Sequence, residues 1–153
     1  MKRWIIYAAV FAMLGFSPLR RIDIGNLSPV RTVWITEAQG QVYLQTDAGN
    51  FGAGANMEEA IEDLNASAPK TVFLETADYL IVEKGKEKIL EQTTGVFHPT
   101  CRICVSEKMP DLEGATEFLS THEPKLTLQK WRIEQVSLQQ LYEQDGRFRW
   151  EGG

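Results

Sequence analysis

Apolar and polar residues alternate in two neighbouring segments of the chain. In residues 30–36 and 41–46, two aliphatic side chains stand two positions apart near the centre of each segment. A period of two places such side chains on one face of a half-buried β-strand. Because the link between the segments is short and contains Gly40, we predict a β-hairpin.

The next segment of the chain has the period of a helix. Apolar residues recur at intervals of three and four positions, which places them on one face of a helix. These residues are Met57, Ala60, Ile61 and Leu64. Asn56 suits the N-cap position, and Glu59 stands three residues later, as in a capping box. We therefore predict an amphipathic helix that begins after Asn56.

Strand-like and helix-like segments continue to alternate beyond this helix. Further strands are predicted at residues 71–76, 79–82 and 100–106. A charged helix is predicted up to Thr93, with Gly95 as a left-handed cap. Another is predicted after Pro110-Asp111.

The alternation favours an α/β fold, with α+β as the alternative. We expect a mixed sheet with an N-terminal hairpin and about three amphipathic helices packed on it. Leu126, Leu128 and Trp131 fit either a strand or a helix. Residues 137–144 are predicted to form a short helix that ends at Asp145-Gly146.

The extreme N-terminus differs from the rest of the chain. Lys2 and Arg3 precede an apolar run over residues 4–16, the pattern of a secretory signal or a signal anchor. As a helix the run would span roughly 20 Å, or about 24 Å if residues 17–19 are counted, short of a hydrocarbon core about 30 Å thick. The basic pair places the body outside the cytoplasm, although Arg20 and Arg21 on the far side oppose this orientation.

Two other interpretations of this run remain open. The first is a buried helix of a soluble protein, and the second is a cleaved signal that leaves a secreted form.

We expect a membrane-anchored chain divided into three parts. They are a signal or anchor segment (residues 1–20), one α/β domain (21–123) and a C-terminal extension (124–153) that packs on the domain or binds a partner.

Charge limits the class of partner. The chain carries a net charge of −5, and all four basic residues of the first 21 positions lie beside the apolar run, so the remainder carries −9. Nucleic acid is not expected as a partner, because phosphate binding requires clustered lysine and arginine.

Cys101 and Cys104 form a C-x-x-C pattern. Strand residues three positions apart point to opposite faces, so we interpret the pair as structural. A disulfide or a catalytic dithiol remains the alternative. His98 and His122 are poorly spaced to complete a zinc site with the two cysteines.

Two further patterns have ordinary structural interpretations. Residues 49–54 are rich in glycine and precede a helix, like a phosphate-binding loop, but no lysine follows. We predict that residues 47–55 form a flexible loop. The acidic residues of the next helix could bind a cation, but a solvated helix face is the simpler interpretation. They are Glu58, Glu59, Glu62 and Asp63.

No nucleophile and base stand at a recognisable spacing, so we expect neither an enzyme nor a bound cofactor or metal. Tryptophans 34, 131 and 150 are interpreted as packing residues. The residues expected to contact a partner lie near the two ends of the body. They are Asp23, Gly25, Leu27, Phe148 and Trp150.

Residues 21–30, RIDIGNLSPV, follow an R-x-(D/E)-I-x-x-L-x-x-V pattern. This stretch resembles the opening of Ger(x)C proteins, the C subunits of spore germination nutrient receptors. The order of loop, helix and strands over about residues 20–122 is similar to the first domain of that family. Two features differ. The family has a lipid-modified cysteine where this chain has Phe16-Ser17-Pro18, and the family has further domains.

The resemblance implies a membrane protein of spores or sporulation in a Gram-positive lineage, with germination or other membrane proteins as partners. The expected function is therefore a non-enzymatic, membrane-tethered interaction module. One alternative is an extracytoplasmic thiol-disulfide protein that uses Cys101 and Cys104. Another is a small ligand-binding domain that uses the glycine-rich loop at residues 49–54.

Overall fold

The computed structural model describes residues 27–151. These residues form a mixed β-sheet with helices on both faces, which confirms the predicted α/β class. The predicted N-terminal hydrophobic helix lies outside the described residues. None of the helices within residues 27–151 combines the length and the hydropathy that a membrane span requires.

Ten strands and three α-helices make up the described chain. The strands are β1 (Leu27–Pro29), β2 (Thr32–Ala38), β3 (Gln41–Thr46), β4 (Phe51–Gly54), β5 (Thr71–Phe73), β6 (Tyr79–Glu83), β7 (Arg102–Ser106), β8 (Leu126–Thr127), β9 (Leu141–Gln144) and β10 (Arg147–Trp150). The α-helices are α1 (Met57–Ser67), α2 (Leu112–Thr121) and α3 (Leu128–Glu134). Two 3-10 helices span Leu74–Thr76 and Glu87–Thr93.

Six strands form the main sheet in the order β4-β3-β2-β6-β7-β8. The central strands β2, β6 and β7 are parallel, and the outer neighbours pair antiparallel. Strand β1 pairs with β5 in a separate parallel ladder, and β9 pairs with β10 as an antiparallel hairpin.

The hairpin of β2 and β3 is confirmed. Ile35 pairs with Leu44, and both are fully buried on one face. Gln39 and Gly40 have φ values of 52° and 74°. Two consecutive positive φ angles fit a type I′ turn, whose twist matches that of the flanking strands.

Each face of the sheet has its own core. Val33, Leu80 and Ile103 point to the face that packs on α1, the 3-10 helix of Glu87–Thr93 and α3. Ile81 and Cys104 point to the opposite face, which packs on α2 and the hairpin of β9 and β10. Covering of both faces explains why β6 is a continuous apolar run rather than an alternating one.

Both predicted helix starts are confirmed. Asn56 accepts a hydrogen bond from the backbone N–H of Glu59 at 2.9 Å, and Asp111 accepts one from Gly114 at 3.2 Å. These side chains satisfy N–H groups that lack a partner within the first turn. The Glu59 carboxylate accepts in turn from the N–H of Ala55 at 3.0 Å.

The predicted loop over residues 47–55 is wrong, because Phe51–Gly54 forms the edge strand β4. Its glycines allow the strand to lie directly against α1. A Cβ atom at Gly52 would lie 2.3 Å from the carbonyl oxygen of Ala60, and one at Gly54 would lie 2.4 Å from its nitrogen. Glycine in a strand thus marks a close backbone approach rather than a flexible loop.

Two predicted boundaries also need correction. The strand at residues 71–76 ends at Phe73. A 3-10 turn follows, which the N–H of Ala77 closes by donating to the Leu74 carbonyl at 3.1 Å. The predicted helix before Thr93 is a 3-10 helix that begins at Glu87, because Gly85 with φ 86° first makes a turn. Inward-facing residues 89 and 90 are buried, as predicted.

The predicted helix at residues 137–144 is wrong. Strand β9 occupies its second half and pairs with β10 around Asp145 and Gly146, which have φ values of 54° and 72°. The Asp-Gly pair favours a type I′ hairpin turn. The segment that begins at Leu126, predicted as either a strand or a helix, contains one of each. The short strand β8 is followed at once by α3.

Residues 124–151 contribute to the sheet and to both cores. Strand β8 pairs with β7 at the edge of the main sheet. Leu128 and Trp131 are buried in the first core, and Leu141 is buried in the second. This part of the chain therefore packs as an integral portion of the same fold.

Candidate interaction surface

The C-terminal hairpin packs its aromatic side chains against α2. The rings of Phe148 and Trp150 each lie 5.9 Å from the ring of Phe118, between centroids. All three side chains are half-buried. Aromatic pairs at this separation are favourable, and the exposed ring surface remains available for contacts.

Local sequence features fix this packing. Gly114 leaves room for the Phe148 ring, since a Cβ atom there would lie 2.9 Å from Phe148 Cε2. The Glu143 carboxylate on β9 accepts a hydrogen bond at 3.0 Å from the N–H of Asp111, the N-cap residue of α2. The hairpin is therefore held to the start of α2 and lies alongside it.

Two shallow depressions flank β10. One, of about 320 Å³, lies between α2 and the hairpin and is lined by Glu117, Phe118 and Phe148. The other, of about 550 Å³, lies beside Arg147 and Arg149. The hairpin thus presents an aromatic side and a basic side.

The basic side contrasts with the acidic body. Arg147 and Arg149 are exposed, and within residues 27–151 neither has a carboxylate within 4.0 Å. The Arg149 guanidinium lies 5.9 Å from the Tyr142 ring centroid and donates weakly to the Gln144 side chain at 3.5 Å. Their charges are therefore available to an acidic partner.

The five residues predicted to contact a partner do not form one site. Asp23 and Gly25 lie outside the described residues. Leu27 begins β1, which pairs with β5 beside the first core, whereas Phe148 and Trp150 belong to the second.

The sequence interpretation missed both arginines of β10 and the contribution of Phe118. Recognition of Asp145-Gly146 as a hairpin turn would have identified the two arginines, because it makes residues 147–150 a strand with alternating basic and aromatic side chains.

The two cysteines lie on opposite faces of the sheet. Cys101 belongs to the first core and Cys104 to the second, and both are free and buried. Burial raises the pKa of the Cys101 thiol to about 12, with a smaller effect from Asp78, and burial also raises the pKa of Cys104. A thiol is nucleophilic only as the thiolate, so this geometry gives no support to a redox role.

The acidic residues of α1 have a structural use. The Asp63 carboxylate accepts from the N–H of Ala53 at 2.8 Å, as Glu59 does from Ala55. An anion above these strand amides would meet two carboxylates, which opposes phosphate binding by residues 49–54. Among the described residues, no group of three or more His, Cys, Asp or Glu side chains could hold a metal ion.

His98 lies near Cys101, whose N–H donates to the His98 carbonyl at 2.9 Å. His98 contacts the Thr100 hydroxyl through Nδ1 at 2.7 Å. The ring of His122 stacks on Phe118 with the centroids 4.5 Å apart. His122 therefore extends the aromatic surface at the end of α2.

A cleft of about 710 Å³ lies at the carboxyl ends of β6 and β7. Lys84 donates to the Gln140 side chain at 2.6 Å, and Gln140 is only 4% exposed. Within residues 27–151 its Nε2 has no hydrogen-bond partner. Glu87 and Lys88 line the same cleft, so it offers both signs of charge. The Lys84–Gln140 bond joins the end of β6 to the segment before β9.

No protein-family model matches the chain, and no curated protein or solved structure is significantly similar to it. Inference about function consequently depends on the geometry of the surface and on the patterns in the sequence.

Proposed function

We propose that this chain is a non-enzymatic module that is tethered to a membrane by its N-terminal segment and binds another protein through its C-terminal hairpin. The observation that carries the proposal is the surface formed by β10 and α2. It combines half-exposed aromatic rings with two arginines on an otherwise acidic domain. Aromatic residues and arginine are the types enriched in protein interfaces.

Support for the tether comes from the sequence. A basic pair followed by an apolar run over residues 4–16 is typical of a signal or anchor. The same pattern favours a body on the extracytoplasmic side, or secretion if the segment is removed. A membrane location would confine the module and its partner to one plane and raise their effective concentration.

A role in spore germination or sporulation is the most specific part of the proposal. It depends on the resemblance of residues 20–122 to the first domain of Ger(x)C proteins. The partners would then be other membrane proteins of such an assembly. A thiol-disulfide function is the weaker candidate, because Cys101 and Cys104 are buried on opposite faces.

A photoreactive phenylalanine analogue at position 148 tests the proposal in cells that express the full chain. We expect the chain in the membrane fraction and a discrete crosslinked product after irradiation, because Phe148 would lie in the interface. Phe51 is the matched control. It is a phenylalanine that is 49% exposed, and it lies on β4 at the far edge of the sheet.

Equal products from positions 148 and 51 would contradict a specific hairpin surface. A chain recovered in the soluble fraction, with no product at either position, would contradict both the tether and the interaction. Identification of the product by mass spectrometry as a germination or sporulation protein would support the assembly, and an unrelated partner would reject that part.

A further inference from the structure

We propose, on the basis of the interaction function above, that the partner adds an extended acidic segment as a new strand to the outer edge of β10. The segment would alternate apolar residues with glutamate or aspartate. Main-chain hydrogen bonds would supply affinity, and alternate side chains would supply selectivity.

The register of the hairpin determines which backbone groups face outward. In a two-residue hairpin, Gln144 and Arg147 exchange hydrogen bonds, and the bonded pairs recur every second residue. The bond at 2.9 Å from the N–H of Glu151 to the carbonyl of Gln140 fits this register. Phe148 and Trp150 consequently direct their N–H and C=O groups away from β9. Among the described residues, β10 pairs with β9 alone, so these outward groups have no partner strand.

In contrast to the edge of β10, the outer edge of β4 is covered. Its outward groups are capped by α1 side chains one helical turn apart, namely Glu59, Asp63 and Ser67. Asp63 accepts from the N–H of Ala53, and Ser67 donates to the carbonyl of Phe51 at 3.1 Å. Covering an exposed edge is a common protection against unwanted strand pairing. The four-residue edge of β10 lacks such a cover within residues 27–151.

Side chains beside the open edge define the partner. Directly opposed residues of neighbouring strands point to the same face. Residues opposite Phe148 would enter the depression between α2 and β10, where an apolar side chain fits beside Phe118. Residues opposite Arg147 and Arg149 would be acidic, because both arginines lack a carboxylate in the described part of the chain. The partner segment is therefore expected to alternate valine-like residues with acidic residues.

A second copy of this chain is a poorer occupant. Antiparallel pairing of two β10 edges places Arg149 opposite its counterpart, or opposite Arg147 in the neighbouring register. Like charges in directly opposed positions destabilise a ladder. An acidic segment meets no such repulsion, so charge favours a different chain as the partner.

Calorimetry with the full chain in mild detergent tests the proposal. The probe is a short peptide, blocked at both ends, that alternates glutamate and valine. A second peptide carries lysine for glutamate, and a third has N-methyl groups on its valines, which would oppose Phe148 and Trp150. We expect binding of the first peptide and losses of about tenfold or more for the other two.

The double variant Arg147→Glu with Arg149→Glu should lose at least about tenfold in affinity for the glutamate peptide. The control is Lys70→Glu with Lys86→Glu, which makes the same change in net charge at exposed positions away from β10. Thermal unfolding of both variants checks that they fold.

Equal losses in the two double variants would overturn the proposal, as would full affinity of the N-methyl peptide. Sedimentation that shows a dimer without peptide, abolished by Phe148→Pro because proline removes an outward N–H group, would assign the edge to a second copy instead. Absence of peptide binding together with a crosslink from position 148 would reject the acidic strand and leave the interaction function standing. Absence of both the peptide binding and the crosslink would reject the acidic strand and the interaction function together.

Discussion

Gly52→Ala is expected to lower the free energy of unfolding by about 3 kcal/mol or more. The added Cβ atom would lie 2.3 Å from the Ala60 carbonyl oxygen and 2.7 Å from the Leu64 nitrogen. Both are helix backbone atoms, so a side-chain rotation cannot relieve the overlap. Strand β4 would have to move away from α1, which exposes apolar surface. Urea unfolding of the full chain measures the loss.

Gly49→Ala is the control for this substitution. Gly49 has φ 85°, and its added Cβ atom would meet nothing within 4 Å. The substitution should therefore lower the free energy of unfolding by about 1–2 kcal/mol, through the left-handed conformation alone. If the two variants lost equal stability, or if Gly49→Ala lost more, then β4 would not lie against α1 and residues 47–55 would behave as the loop that the glycines suggest.

Leu141→Ala is expected to cost about 2–5 kcal/mol, and Leu128→Ala a similar amount. Each removes a fully buried side chain, one from the core beneath α2 and one from the core beneath α1. Loss of buried apolar surface and the remaining cavity both contribute. The midpoint of urea unfolding at an unchanged slope reports the effect.

Ile133→Ala provides the comparison, because Ile133 lies on the same C-terminal segment but is 75% exposed. Its expected effect is within about 0.5 kcal/mol. Three variants with equally small effects would mean that residues 124–151 are an appendage that the α/β domain does not need for stability.

Periodicity and capping residues were sufficient to predict much of the fold. The alternation around Ile35 and Leu44 identifies the first hairpin, and Asn56 and Asp111 mark the starts of α1 and α2. These signals are local, because a cap or a strand period depends only on residues a few positions apart. For the same reason they locate elements better than they order strands in a sheet.

The failures have a common physical cause. Gly52 and Gly54 resemble loop residues until the backbone of α1 is known to lie against them. Leu141 fits a helical spacing, but the Asp145-Gly146 turn and the bridge from Gln140 to Val105 draw it into a strand. Tertiary packing decided these segments against the apparent local preference.

The candidate surface was only partly predictable. Phe148 and Trp150 stood out as aromatic residues near the end of the chain, and they remain in the proposed interface. Their packing on Phe118 joins segments about thirty residues apart, which the sequence does not reveal. Whether an edge is open depends on what covers it, as the contact of Asp63 with β4 illustrates.

Hydrogen exchange of individual amides tests most directly whether β10 offers the working edge of this protein. In the isolated full chain, the N–H groups of Phe148 and Trp150 should exchange much faster than that of Ala53, which is bonded to Asp63. In membranes that contain the partner, exchange at positions 148 and 150 should slow while Ala53 is unchanged. Protection of Phe148 and Trp150 in the isolated chain, or no change in the membrane, would contradict the account.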